Sequence, residues 1–341
     1  MKIGFFLSVF VFFSACNRDD LNEMKSIRLT LVSNYIEQPI DNEFVFKVEG
    51  DNLTDITNTA QIKVNGVLIS GNSFTPSSEG NYVVQAFYED FASKTLTVKA
   101  ITPSDYTQKV LVEDYTGTWC GWCPRVAYAL QQCKLQSTKI VSVAIHISSG
   151  GEPDPYQCDG GVALKNEFGI SGLPKARINR IHTWTANEQN NLNEVLNKTG
   201  YNAPLGLAIE TDINNSIVET QIRVGFANNY NDQLNLIVYV VENGLIYDQT
   251  NYTTFFGGNS TLVNFVHNDV LRSVITPILG EPIPASETTN GHIFTKNLNI
   301  TIPSSVSNYN NLVLVAFVVK ASTKEVINVQ EVAVGSEIGF E

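Results

Sequence analysis

A pair of cysteines between an apolar strand and a proline is the feature that most constrains the fold of this chain. Residues 110–112 (Val-Leu-Val) have strand character, and the run Cys-Gly-Trp-Cys at 120–123 leads into a helix with Pro124 in its first turn. Unpaired N–H groups at the start of a helix stabilise a thiolate, so this setting favours redox chemistry. We therefore predict that Cys120 is an exposed nucleophile and that Cys123 is a buried resolving thiol.

The first residues predict export and attachment to lipid. One lysine precedes an apolar run at residues 3–13, and a Ser-Ala pair stands directly before Cys16, an arrangement typical of a bacterial lipoprotein signal peptide over residues 1–15. The apolar run is too short to span a bilayer as a permanent helix. We expect acylation of Cys16 followed by a polar tether over residues 16–25. An ordinary secretory signal is the alternative.

Export changes the interpretation of the other cysteines, because disulfides persist in oxidising compartments. With Cys16 assigned to lipid, Cys133 and Cys158 are left beside the Cys-Gly-Trp-Cys pair. Cys133 follows Cys123 at a distance of about 15 Å along an intact helix, which is too far for a disulfide. We therefore predict a structural disulfide between Cys133 and Cys158, with two free thiols as the alternative.

Composition excludes several classes of function. The formal net charge is −12 and Lys and Arg do not cluster, which argues against nucleic acid as a partner. A hydrophobic content of 43% excludes global disorder, and 341 residues suggest two or three domains. The sequence has no Gly-x-Ser-x-Gly elbow, no phosphate loop and no His-Glu-x-x-His motif. We expect no cofactor and no metal.

The pattern of apolar and polar residues changes along the chain, which predicts a multidomain α+β protein. Residues 26–101 alternate apolar and polar side chains in short runs, and Asn65-Gly66 is a strong hairpin signal, so an immunoglobulin-like β-sandwich is expected there. Residues 105–200 alternate strand and helix patterns and predict an α/β domain. Residues 202–341 return to strand patterns and predict a C-terminal β-sandwich.

One helix is expected inside that C-terminal domain. Val263, Val266, Val270 and Val274 recur at helical spacing up to the break at Pro277. On this interpretation His267, Asn268 and Arg272 lie about one turn apart on an exposed helix surface, with the lining of a pocket as the alternative.

The segment around the cysteines resembles the active-site strand and turn of thioredoxins, with Trp119 directly before the first cysteine. This resemblance implies that Asp114 is the buried acid that assists deprotonation of the second cysteine. It also implies that Gly-Leu-Pro at 172–174 is the cis-proline loop, in which Pro174 faces the cysteines and presents backbone to the substrate chain. The dipeptide between the cysteines is Gly-Trp rather than Gly-Pro, so the family's redox potential does not carry over.

The whole arrangement is similar to the Omp28-related outer-membrane lipoproteins of Bacteroidota. The similarity rests on the run from Asp114 to Pro124 and on two segments of the β-rich tail, residues 266–272 and 326–330. It implies an outer-membrane, lipid-anchored protein more firmly than it implies a catalytic activity. The face of the membrane is left open.

Weaker hypotheses concern Glu113, Asp114 and His146. Glu113 and Asp114 are neighbours on a strand and point to opposite faces, so only one can reach the cysteines, and both are solvated in the alternative interpretation. His146 ends an apolar strand and is interpreted as a core or edge residue.

Two functions follow from these observations. In the first, the chain is an envelope thiol–disulfide oxidoreductase: Cys120 attacks, Cys123 resolves, Asp114 assists, and Pro174 positions a partner drawn from envelope protein thiols or disulfides. In the second, it is a lipid-anchored binding or scaffold protein with an inert thioredoxin-like domain. A disulfide that closes so short a loop adds little stability, which favours the first. A single Cys-x-x-Cys is weak support for zinc.

Overall fold

The computed structural model describes residues 28–102, 105–214, 216–306 and 308–341. The predicted signal peptide, the lipidation site at Cys16 and the tether lie outside the described residues. The described chain divides into two compact units. The first contains residues 28–36, 44–74 and 82–98, and the second contains residues 37–43, 75–81 and the chain from 99 to its end.

Short strands account for the regular structure in residues 28–102. They are β1 (Thr30–Ser33), β2 (Glu37–Pro39), β3 (Phe44–Glu49), β4 (Gln61–Val64), β5 (Val67–Leu68), β6 (Ser73–Phe74), β7 (Gly80–Tyr88), β8 (Phe91–Ala92) and β9 (Leu96–Ile101).

The first unit has one apolar core lined by strands of two sheets. Strands β1, β3 and β6 form one sheet, and β9, β7, β4 and β5 are neighbours in the other. Alternate residues of β3 face inward, as the period-two pattern predicts, and pack with inward residues of β4, β7 and β9. The predicted hairpin is confirmed: Val64 pairs with Val67, and Asn65 and Gly66 both have the positive φ that a tight two-residue turn requires.

The second unit contains the helices and the longer strands. They are β10 (Val110–Thr116), α1 (Pro124–Gln136), β11 (Ile140–His146), α2 (Asp159–Glu167), β12 (Lys175–Ile178), β13 (His182–Thr183), α3 (Asn193–Leu196), β14 (Leu205–Asn214), β15 (Ile217–Phe226), β16 (Leu234–Glu242), β17 (Leu245–Thr250), β18 (Thr261–His267), β19 (Val270–Val274), β20 (Glu281–Pro282), β21 (Ile293–Thr301), β22 (Leu312–Lys320), β23 (Val326–Ala333) and β24 (Glu337–Ile338).

A large mixed sheet organises the second unit. Its strand order is β13-β12-β10-β11-β19-β16-β22-β23, with β20 also paired to β16. Strands β10 and β11 are parallel, in a register that places Thr116 beside His146. Strand β12 runs antiparallel to β10 on its other side. A second sheet has the order β21-β15-β14-β24, and β17 pairs with β18 in a separate hairpin.

Alternation along β16 explains why this sheet is buried on both faces. Leu236 and Val238 belong to the core shared with the β21-β15-β14-β24 sheet. Ile237 and Tyr239 belong to a second core together with residues of β11 and α2. All residues of β16 are buried, and residues 236–241 form the continuous apolar run expected of a strand covered on both faces.

The helix predicted inside the C-terminal region is wrong. Residues 261–267 form β18 and residues 270–274 form β19, separated by a turn at which Asp269 has a positive φ of 57°. Valine is β-branched and favours strands, so four valines at helical spacing also fit two short strands. His267 and Arg272 accordingly lie on different strands rather than on one helix surface.

The predicted boundary near residue 201 does not separate two sheets. Strand β19 pairs with β11 on one side and with β16 on the other, so strands from residues 105–200 and 202–341 share one sheet. The two segments expected to be separate domains form a single compact unit. Local periodicity identifies strands but carries no information on which strands pair.

Candidate active site around Cys120 and Cys123

The two cysteines lie where the chain passes from β10 into α1, as predicted. Cys123 is the N-cap residue of α1 and Pro124 is the first residue of the helix. Cys120 and Cys123 are joined by a disulfide with their Cα atoms 5.4 Å apart. The backbone N–H of Cys123 donates to the carbonyl oxygen of Cys120 at 3.1 Å, which closes the turn.

Both cysteines are buried, which corrects the prediction of an exposed Cys120. Cys120 is 5% exposed and Cys123 is 2% exposed, whereas Trp122 between them is 53% exposed. The cause is a segment that begins with the last two residues of β17 and lies over the turn. We call residues 249–256 the strap.

Hydrogen bonds fix the strap to the cysteine turn. The buried side-chain amide of Gln249 donates to the carbonyl oxygens of Gly117 at 3.2 Å and Cys120 at 3.0 Å. The N–H of Thr250 donates to the carbonyl of Thr118 at 2.9 Å, and the N–H of Tyr252 donates to the carbonyl of Gly121 at 2.7 Å.

Aromatic contacts extend the strap along α1. The ring of Tyr252 lies against Gly121, where a Cβ atom would be within 2.6 Å of three ring atoms. Further along, Phe255 stacks on Tyr128 of α1 with ring centroids 4.3 Å apart, and Phe256 contacts the same ring edge-on at 6.0 Å. The strap therefore covers the outer side of Cys120 and one side of the helix.

Asp114 lines the same cavity as Cys123. It is 3% exposed, and its Oδ1 atom has no hydrogen-bond partner among the described residues. Burial raises the pKa of Asp114 well above its ordinary value; Glu188 raises it further, and Arg125 opposes the increase. A buried carboxyl with a raised pKa, on the same cavity wall as a disulfide, is suited to proton exchange: it donates when protonated and accepts when ionised.

Glu113 points to the opposite face, as the alternation predicts. Its Oε1 accepts from Nε of Arg180 at 3.1 Å and from the hydroxyl of Tyr239 at 2.9 Å, and the Arg180–Glu113 pair is fully buried. Arg180 also donates to the Tyr239 hydroxyl. Glu113 is thus a structural residue of the second core, and of the two acids only Asp114 lines the cavity that Cys123 borders.

Trp119 anchors the turn instead of facing solvent. Its indole N–H donates to the carbonyl of Ile147 at 2.8 Å. Gly117 allows this approach, because a Cβ there would lie 2.8 Å from the indole nitrogen and 3.0 Å from the Ile147 oxygen. Trp119 therefore holds the cysteine turn against the end of β11.

The bond between Leu173 and Pro174 is cis, as the resemblance implies. Pro174 directly precedes β12, in which Lys175 pairs with Tyr115 of β10. It therefore lies at the end of the sheet from which the cysteine turn leaves.

The sequence did not predict a cluster formed by His146, Asp154, Tyr156 and His267. Nδ1 of His146 lies 3.1 Å from both carboxylate oxygens of Asp154, and both side chains are buried. Asp154 also accepts from the N–H groups of Thr118 and Tyr156. Burial alone would raise its pKa, but His146 and these N–H donors hold the pKa of Asp154 below its ordinary value.

His267 completes this cluster from β18. Its ring centroid lies 5.3 Å from that of His146 and 5.4 Å from that of Tyr156. Burial, reinforced by the charge of His146, lowers the pKa of His267 to about 4. The sequence did contain a signal for the position of His146. It ends the strand after β10, and neighbouring parallel strands end at the same edge of a sheet, where His146 pairs with Thr116. His267 was expected on a helix, with a pocket-lining position as the alternative, and it is strand β18 that brings it to this cluster.

A cavity of about 1080 Å³ adjoins Cys123. One wall is α1, another is the end of β11, and β18 closes the third side. Asp114, Cys123, His146, Gln249 and His267 all contribute to its surface. This volume lies at the upper end of the range for small-molecule sites.

The predicted disulfide between Cys133 and Cys158 is wrong: both are free thiols. Cys133 packs with Val110 and Ile140 in the core beneath α1. Cys158 packs with Ile145 and α2 residues in the core on the other face of the β10–β11 pair. The sheet therefore separates the two sulfurs. Burial raises the pKa of Cys133 to about 11.

Two further observations concern the described part of the chain. It contains no group of three or more His, Cys, Asp or Glu residues that could hold a metal ion. None of its helices has the length and apolar character needed to cross a membrane.

Comparison with known proteins identifies the family. A family model for outer membrane protein Omp28 matches residues 162–338. HBP35 of Porphyromonas gingivalis has 16% sequence identity and a TM-score of 0.52, over 67% of this chain and 76% of that one. A domain of the outer membrane lipoprotein Omp28 from Porphyromonas gingivalis has 17% identity and a TM-score of 0.26, over 39% of this chain and 89% of that one. No curated protein matches the sequence.

The family match spans more than half of the chain, and it confirms the resemblance to Omp28-related proteins that the sequence indicated. The likeness to HBP35, at low identity, shows the β-rich fold alone. The chain belongs to the Omp28 family of outer membrane proteins.

Proposed function

We propose that this protein is a cell-envelope thiol–disulfide oxidoreductase that works through Cys120 and Cys123. The observation that carries the proposal is a disulfide at the start of a helix, on the wall of a cavity that also contains a buried acid, Asp114. A disulfide in such a setting can be reduced and re-formed because the helix start stabilises the thiolate and the acid handles the proton.

Each of the other site residues has a positioning or proton-transfer role in this proposal. Asp114 exchanges a proton with the sulfur of Cys123. Trp119 holds the turn through its bond to Ile147, and Pro174 keeps the start of β12 in place beside the turn.

We also propose a thioredoxin-like arrangement for residues 105–200 and an immunoglobulin-like arrangement for residues 26–101. The first is supported by the parallel β10–α1–β11 unit, the antiparallel β12 and the cis bond before it. The second is supported by the two sheets of short strands around one core. Lipid attachment at Cys16 is supported by the signal sequence and by membership of an outer membrane family.

The test uses the full chain in a series of thiol–disulfide buffers. Mass mapping after acid quench and alkylation should show the Cys120–Cys123 bond opening reversibly, and catalytic amounts of the protein should speed exchange between dithiothreitol and a model disulfide. The Cys120→Ser/Cys123→Ser double variant is the control and should have no effect on the rate. If the bond stays closed at every potential down to that of excess dithiothreitol, the proposal fails.

A second candidate is a non-enzymatic binding or scaffold protein whose disulfide is inert. The burial of Cys120 under the strap favours it, because a covered sulfur reacts slowly with large disulfides. The same titration separates the two functions, since an inert disulfide does not catalyse exchange.

A further inference from the structure

We infer that the substrates of the Cys120–Cys123 pair are low-molecular-weight thiols and disulfides, and that they react at Cys123 after entering the cavity beside α1. This inference rests on the proposed function and names its substrate class. It also reverses the order of attack that the sequence suggested, in which Cys120 meets the substrate first.

The outer side of the pair is closed to large partners. A folded protein must bring its own sulfur into line with the disulfide, and the strap occupies the space above Cys120. Gln249 binds the carbonyl of Cys120, and the backbone and ring of Tyr252 lie on Gly121. The stacking of Phe255 on Tyr128 fixes the far end of the strap to α1.

The inner side of the pair is open to small ligands. Among the residues that line the cavity, Cys123 is present and Cys120 is not. A volume of about 1080 Å³ holds a molecule of the size of a short peptide and excludes a folded domain. Both cysteines are nearly inaccessible, but Cys123 is the one that borders the cavity, so a small thiol inside the cavity meets Cys123 first.

The cavity wall suits a thiol that carries charged and amide groups. Lys134 and Asp269 form an ion pair on the wall, with Nζ and Oδ2 2.6 Å apart, and Asn243 and Asn259 add amide groups. Apolar side chains, Phe256 among them, supply the rest. Amino-acid thiols and short peptide thiols carry both charged or amide groups and apolar groups, so they match both parts of the wall.

The buried acid gives an independent indication that a ligand or a proton is handled here. Asp114 lines the cavity, is nearly inaccessible, and leaves Oδ1 without a partner among the described residues. An unpaired polar atom at such a site lowers the stability of the fold, so its retention needs a reason. Proton exchange with the Cys123 sulfur is a sufficient one.

The reaction balances with two molecules of thiol. The thiolate RS⁻ attacks Sγ of Cys123, an RS–Sγ bond forms, the Cys120–Cys123 bond breaks, and the electron pair leaves on Sγ of Cys120. A second thiolate attacks the sulfur of the bound thiol, which forms RS–SR and releases Cys123 as a thiolate. The protons of the two thiols end on Cys120 and, through Asp114, on Cys123. Two thiols are oxidised and one protein disulfide is reduced; the reverse reaction follows the same path.

Single-cysteine variants of the full chain test the inference. Cys120→Ser leaves Cys123, and Cys123→Ser leaves Cys120. Each is treated with glutathione disulfide, quenched in acid and digested with trypsin, and the mixed disulfide on the peptide ending at Arg125 is measured by mass. We expect Cys123 to react at least tenfold faster than Cys120. Equal rates, or a faster Cys120, overturn the inference and leave the proposed function intact.

Displacement of the strap provides a second readout. Gly121→Ala places a methyl group in the ring of Tyr252 and should speed the reaction of Cys120 in the Cys123→Ser chain at least fivefold. Gly150→Ala is the matched control, because its Cβ would meet nothing within 4 Å. No acceleration by Gly121→Ala overturns the shielding role of the strap. If neither cysteine reacts in the native chain but both react after denaturation, the inference and the proposed function fail together.

Discussion

Protonation of His267 should make the second unit less stable in acid. Burial, followed by the charge of His146, lowers the pKa of His267 to about 4, while its ordinary value in an unfolded chain is 6.5. Between these values the unfolded chain binds a proton that the folded chain does not, so stability is complete above pH 6.5 and is lost as the pH falls toward 4. At about 1.4 kcal/mol for each pH unit, the loss attributable to His267 is about 3 kcal/mol.

Urea unfolding at pH 7, 6, 5 and 4 measures this loss. Trp119, Trp122 and Trp184 all belong to the second unit, so tryptophan fluorescence follows that unit. The variant His267→Gln should lose about 3 kcal/mol less than the wild type between pH 7 and 4. His292→Gln is the control, because the His292 side chain is 42% exposed.

The difference between wild type and variant removes the contribution of carboxylates that titrate in the same range. The reasoning is refuted if wild type and His267→Gln lose stability in parallel. It is also refuted if the His267 ring titrates near pH 6.5 in an NMR experiment on the native chain.

Three further predictions follow. Arg180→Met leaves the carboxylate of Glu113 buried without its partner and should lower the unfolding free energy by about 3–5 kcal/mol, and adding Glu113→Gln should recover part of it. Thiol titration of the unreduced, denatured chain should find Cys133 and Cys158 free. In the native chain Cys133 should resist iodoacetamide at pH 8, because burial raises its pKa to about 11. If neither thiol reacts in the denatured chain, the two cysteines form the structural disulfide after all. Asp114→Asn should slow exchange at least about tenfold, because a positioned acid contributes that much or more. It should also stabilise the fold at pH 7, since the stability of a group whose pKa is raised is lost as the pH rises; an unchanged rate would remove Asp114 from the mechanism.

Features set by neighbouring residues were predictable from the sequence. The start of α1 at Pro124 follows from local signals, and so does the hairpin at Asn65-Gly66. The opposite directions of Glu113 and Asp114 follow from strand alternation alone. The location of the candidate site, between β10 and α1, was predictable from the same local signals.

Features set by distant residues were not predictable. The strap meets the cysteine turn across about 130 residues of sequence, and no periodicity in residues 249–256 indicates that contact. Without the strap, the start of a helix suggested an exposed Cys120. The valines of β18 and β19 are a second example, because their spacing fits one helix as well as two short strands. Only the pairing of these strands with β17, β11 and β16 distinguishes the two structures.

Catalysis of thiol–disulfide exchange decides whether the Cys120–Cys123 disulfide is chemically active. Purified full-length protein is added in catalytic amounts to dithiothreitol and glutathione disulfide, and the release of glutathione is followed against the Cys120→Ser/Cys123→Ser double variant. If this disulfide is active, the rate should rise in proportion to the amount of wild-type protein and should not rise with the double variant. Equal rates for the two proteins would contradict it.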